Sequence, residues 1–160
     1  RPDAGLLASI SCRADGTQCA ANLAGLPVTG TYSVIVQPAS GATGSLQAWL
    51  SRDAAGALAS GTPFQLTLAR PGQNARLTIA GMAGQTLRLA WSVAAISGPS
   101  GRAPMYVNTP SGPTLGSASI MNGAAGSYDI PALPVTGNYT VFIDPVAGAT
   151  LNATLTLVAR

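Results

Sequence analysis

The chain of 160 residues has no lysine, no glutamate and no histidine. Every basic residue is an arginine, every acidic one an aspartate, and charged residues make up only 8% of the chain. Without histidine, hydrolytic triads and most zinc sites lose the residue they draw on. Asp3, Asp15, Asp53, Asp129 and Asp144 stand singly, so no pair of carboxylates for glycoside hydrolysis is written into the sequence. The net charge of +3 is spread over separated arginines with no aromatic-interleaved basic stripe, which argues against nucleic acid. No apolar run reaches the roughly 18 residues of a membrane-spanning helix, so no membrane insertion is expected. No signal peptide is present, and a start at Arg1-Pro2 inside a repeat reads as a mature or excised product. These absences predict a protein that is not an enzyme, with no cofactor and no metal.

What is present is a stretch stated twice. LPVTGTYSVIVQPASGAT at 26–43 returns as LPVTGNYTVFIDPVAGAT at 133–150, with 11 of 18 positions identical at an offset of 107. A period of that length means one whole domain per repeat. Within each copy, Tyr32, Val34 and Val36, or Tyr139, Val141 and Ile143, alternate onto one face, as a half-buried strand requires. Pro38 and Pro145 end that strand, since proline cannot donate to a ladder. A second strand follows: Leu46, Ala48 and Leu50 in one copy, Ala153, Leu155 and Leu157 in the other. Each copy therefore predicts an antiparallel hairpin with one apolar face that another sheet must cover. LPVTG matches the sortase pentapeptide, but a strand follows it rather than the apolar segment and basic tail of a sorting signal.

Cys12 and Cys19 flank RADGTQ, where Asp15-Gly16 suits a two-residue hairpin turn that sets the cysteines opposite each other. Opposed strand positions lie within disulfide reach, so a disulfide and an exported protein are expected, with two buried thiols as the alternative.

Strands are expected at 6–12, 18–25, 31–37 and 44–51, then an Ala/Gly connector from Asp53 to Gly61. Eight short strands follow between Phe64 and Arg160, with turns at Pro71-Gly72, Gly81 to Gly84 and Gly98 to Gly101. The fold class is all-β: an antiparallel, jelly-roll-like β-sandwich with a repeat period of 107 residues. Residues 1–55 read as the second half of a sandwich repeat and 56–160 as a complete one. A half sandwich leaves Tyr32, Val34, Val36, Leu46 and Leu50 uncovered, a cost of roughly 25 cal/mol per Å². A preceding segment, a neighbouring molecule exchanging strands, or the complete unit would have to cover them; something outside that unit is preferred.

The succession ARPGQNARLTIAGMAGQTLRL, then LPVTGNYTVFIDPVAGATLNATLTL, resembles the tandem β-sandwich repeats of large secreted bacterial proteins, modules like the pre-peptidase C-terminal domain. Pro71-Gly72-Gln73, Gly81 to Gln85 and Gly137 to Pro145 carry the resemblance over nearly all of 60–160, and its second half covers 1–55. It implies an extracellular or cell-surface spacer, stalk or binding module. Some such modules bind calcium, for which this chain lacks clustered acidic ligands.

Two functions follow as expectations. The first is a structural module, a spacer or a self-assembling, fibre-like repeat, whose partners are other copies or other domains of the same protein. The alternative is a carbohydrate-binding module in which Trp49 stacks on a glycan with Gln47 and Arg52 beside it, although packing of Trp49 against an adjoining domain or the connector is the plainer reading. Ile35 and Phe142 point opposite to the Tyr/Val face in both copies, which marks them as candidate contact residues.

Overall fold

From Ala54 onward the alternation of the sequence becomes strands. The computed structural model describes residues 1–13, 19–23 and 25–160. Ten strands form among them: β1 (Ala54–Ala57), β2 (Pro63–Leu68), β3 (Ala75–Gly81), β4 (Leu87–Trp91), β5 (Ala95–Ser97), β6 (Arg102–Asn108), β7 (Thr114–Met121), β8 (Gly126–Ile130), β9 (Gly137–Ile143) and β10 (Thr150–Ala159). A front sheet has the order β1-β3-β9-β6-β7, and a back sheet the order β2-β10-β4-β8 with β5 also on β10.

The pairing is nested. β2 pairs with β10, β3 with β9, β4 with β8 and β6 with β7, all antiparallel. One long ribbon is thus wound so that its successive rungs alternate between sheets. Among the ten described strands, only β1 runs parallel to its neighbour, β3. The expected connector from Asp53 to Gly61 therefore contains a strand. Alanine and glycine have little strand preference, and β1 forms because the free edge of β3 offers it a ladder.

The repeated stretch at 133–150 is not a hairpin. Pro145 and a 3₁₀ turn at Val146–Gly148 carry the chain from β9 in the front sheet to β10 in the back sheet. Each of these strands has one fully apolar face. Placing them in opposite layers lets the faces cover each other, whereas a hairpin in one sheet would leave both needing a third partner. Tyr139, Val141 and Ile143 from β9, and Leu151, Ala153, Leu155 and Leu157 from β10, all lie buried in the core between the sheets. Trp91, the last residue of β4, is buried there as well, while Val93 lies beyond the strand and is exposed.

The chain divides into two compact units, Arg1–Ala48 and Trp49–Arg160, against the expected 1–55 and 56–160. β1 crosses the expected boundary. In the first unit no strand forms among the described residues, so those expected at 6–12, 31–37 and 44–51 are absent; the one at 18–25 falls partly, and the Asp15-Gly16 turn wholly, outside them. Alternation supplies an apolar face but not the flanking ladders or the covering layer. Val34 is 88% exposed and Leu50 85%, while Val141 and Leu157, 107 positions on, are buried.

Some local contacts in that unit nevertheless match those found 107 positions on. The Tyr32 hydroxyl donates to the Val28 carbonyl at 2.8 Å, and the Tyr139 hydroxyl to the Val135 carbonyl at 2.7 Å. A Cβ on Gly30 would stand 2.6 Å from Pro2 Cγ, and one on Gly137 2.8 Å from Pro110 Cγ, so each proline occupies the space a larger residue would need. The N–H of Ala42 donates to Ala39 as that of Ala149 does to Val146. Cys12 and Cys19 are joined in a disulfide with their Cα atoms 5.8 Å apart. A stable disulfide belongs to proteins folded outside the reducing cytoplasm, and this is an exported protein.

Candidate functional site

The two outer faces of the sandwich differ in chemistry. Strand alternation turns Arg76, Phe142, Tyr106 and Ser117 outward on the front sheet, and the registers of β3, β9, β6 and β7 set them in one row across it. The Arg76 guanidinium carbon lies 4.4 Å from the Phe142 ring centroid, a cation–π contact. Tyr106 stacks on the other side of Phe142, with centroids 6.4 Å apart and planes 26° from parallel. Asp53 Oδ2 accepts from Arg76 Nε at 2.6 Å, which orients the guanidinium over the ring. Beside the row is a shallow depression of about 350 Å³ lined by Arg102, Pro104, Tyr106, Ser117, Ala118 and Ser119.

The back sheet offers short polar side chains already bonded to each other. Gln65 Nε2 donates to Asn152 Oδ1 at 2.6 Å, Thr154 Oγ1 donates to Gln65 Oε1 at 2.8 Å, and the Ser97 and Thr150 hydroxyls pair. A depression of about 490 Å³ on this side includes Thr67, Ser97, Thr150 and Asn152, with no charged group in its wall. Its charges lie elsewhere, where Asp129 accepts from Arg88 at 2.6 Å and from Arg160 at 2.7 Å. The hydrogen bond from Arg88 is the main cause that holds the Asp129 carboxyl below its usual range, and the same bond holds the Arg88 guanidinium above its own.

Of the residues singled out in the sequence, Phe142 is in the front-sheet row. Ile35 belongs to the first unit and is 81% exposed. Trp49 is exposed but precedes β1 and lies on no strand, so alternation does not aim it. Gln47 also lies outside any strand, and Arg52 contributes its carbonyl to Gln73 Nε2 at 3.2 Å. Arg76, Tyr106 and Arg102 escaped notice. Tyr106 had a signal, since it alternates against Met105 and Val107; the arginines had none, because cross-strand register brings them there.

Among the described residues, no group of three or more acidic, cysteine or histidine side chains is gathered as a metal would need, and no helix is long and apolar enough to cross a membrane.

No protein-family model and no curated protein matches the chain. Among solved structures, the chain is similar to PliG of Aeromonas hydrophila, a periplasmic inhibitor of g-type lysozyme, at 15% identity and a TM-score of 0.47, over 69% of this chain and all of that one. PliG of Salmonella Typhimurium, described in the same words, has 13% identity and a TM-score of 0.36 over 65% of this chain and 98% of its own. Both are protein inhibitors by description, and neither is a spacer repeat or a sugar-binding module. The expected spacer or self-assembling repeat, and its carbohydrate-binding alternative, are corrected accordingly. So are the expected partners, copies or other domains of the same protein and glycans.

Proposed function

We propose that the chain is a non-catalytic, protein-binding domain that acts outside the cell or at its surface and grips a partner through the outer face of the front sheet. The Arg76–Phe142–Tyr106 row carries this reading. Arginine and large aromatics are the side chains that dominate protein interfaces, because they bury much area for little lost freedom and combine apolar with polar contact. Here they are locked together on a rigid sheet, so little ordering would be left to do on binding.

A photo-cross-linking residue placed at Tyr106, with another at Thr67 on the back sheet as control, tests it against exported proteins and against purified g-type lysozyme, the partner of the PliG proteins. A discrete adduct from position 106 is expected, with affinity falling about thirtyfold in Phe142→Ala, as for an interface hot spot. Equal capture from position 67, or binding indifferent to Phe142, sinks the reading.

The nested pairing β2·β10, β3·β9, β4·β8, β6·β7 supports a jelly-roll-like sandwich. The paired tyrosine bonds, the prolines over Gly30 and Gly137 and the matching turns support a single plan repeated at 107 residues, with 1–55 as its second half. The turns closed by Gln73 to Arg70 and Gln85 to Met82 suit the likeness to pre-peptidase C-terminal-like modules.

A further inference from the structure

Resting on the protein-binding reading, we propose that the partner docks by adding an extended segment with an acidic side chain antiparallel to β7, so that this segment becomes the sixth strand of the front sheet. An edge strand presents unpaired N–H and C=O groups, and proteins guard such edges with charge, proline, shortness or a bulge. The other edges of the sandwich carry such guards. β1 has four residues, β2 opens on Pro63, and β8 holds Asp129 bonded to two arginines. β7 has eight residues, TLGSASIM, with neither charge nor proline, and its single register shift lies at its start, leaving Gly116 to Met121 regular.

The face beside that edge is shaped for a visitor. Ser117 and Ser119 are the outward residues opposite Tyr106 and Pro104, and their small side chains leave the 350 Å³ depression open towards the edge. Arg102, opposite Met121, is exposed and has no ion pair among the described residues, unlike Arg76 and Arg88. A strand added to β7 would lie about 10 Å from β6, two strand spacings away, a gap that an arginine and a glutamate reaching towards each other can close. Antiparallel entry, the direction of every neighbouring pair from β3 to β7, sets the residue level with Arg102 near the N-terminal end of the incoming segment. Backbone bonds would supply affinity and the alternate side chains specificity, as in other strand-addition complexes.

The probe is a synthetic peptide of alternating threonine and valine, as long as β7, with a glutamate near its N-terminus. A second peptide carries glutamine there. Amide hydrogen exchange on the full chain is expected to slow at alternate residues of Thr114–Met121 when the glutamate peptide binds. The glutamine peptide is expected to bind about tenfold more weakly, a charge-assisted contact being lost. Arg102→Gln should erase that difference, and Ser119→Lys, an exposed edge substitution that leaves the core alone, should weaken both peptides. Absence of β7 protection, or a preference for glutamate that survives in Arg102→Gln, overturns the proposal. If the adduct from position 106 persists while β7 stays unprotected during partner binding, strand addition is wrong and the protein-binding reading stands; loss of the adduct itself removes both.

Discussion

At the scale of single residues, the strongest local device is the tyrosine that closes LPVTGxY on itself. Tyr139 is fully buried, and its hydroxyl both donates to the Val135 carbonyl and accepts from the Val135 N–H. Tyr139→Phe keeps the ring and removes these bonds, so chemical denaturation should show a loss of about 1 kcal/mol. Tyr32→Phe should leave the sandwich transition where it is, because the same bonds there lie in the first unit and are exposed. Asp129 makes a prediction in pH. Its carboxyl is held below the usual value by Arg88, so its stabilisation is complete above the unfolded pKa of about 4 and fades as pH falls through the lower, folded value. Asp129→Asn should lower stability slightly at neutral pH and flatten that part of the acid-denaturation curve. A variant whose acid limb matches that of the parent chain would remove this role.

Among the elements, β4 and β8 show how a strand glycine is used. Gly126 stands opposite Trp91, and a Cβ there would meet the indole at 2.6 Å. Gly126→Ala must push the ring out of the core, at a cost of about 1–3 kcal/mol measured by thermal or chemical unfolding; a neutral result would mean the indole has room to turn. Eight of the nine strands from β2 onward were legible because alternation and turn residues mark them, whereas β5, only three residues long, carries too little alternation to be read. Which strands share a sheet was not. A period of two says that β9 and β10 each own an apolar face, and it says the same whether they pair in one sheet or face each other across two. The same limit applied to the site. Phe142 stood out by its phase, but its neighbours Arg76 and Tyr106 come from 66 and 36 residues away along the chain (142 − 76 and 142 − 106).

For the whole molecule, every buried apolar residue among those described lies between Leu58 and Leu157. A fragment of residues 49–160 should therefore fold alone, with an unfolding midpoint close to that of the full chain, and reduction of Cys12–Cys19 should leave that midpoint unmoved. A fragment that melts early would mean the first unit contributes to the core transition after all.

The sequence by itself determined the strand periodicity, the turns, the paired cysteines and the poverty of catalytic groups, because each of these is set by neighbours a few positions apart. Tertiary structure alone decided that β9 and β10 lie in opposite layers, that an alanine-glycine connector becomes a strand, and that repeated stretches end as a buried core in one place and an exposed surface in the other. The reason is physical: an apolar face is a local property, but what covers it is supplied by chain far away.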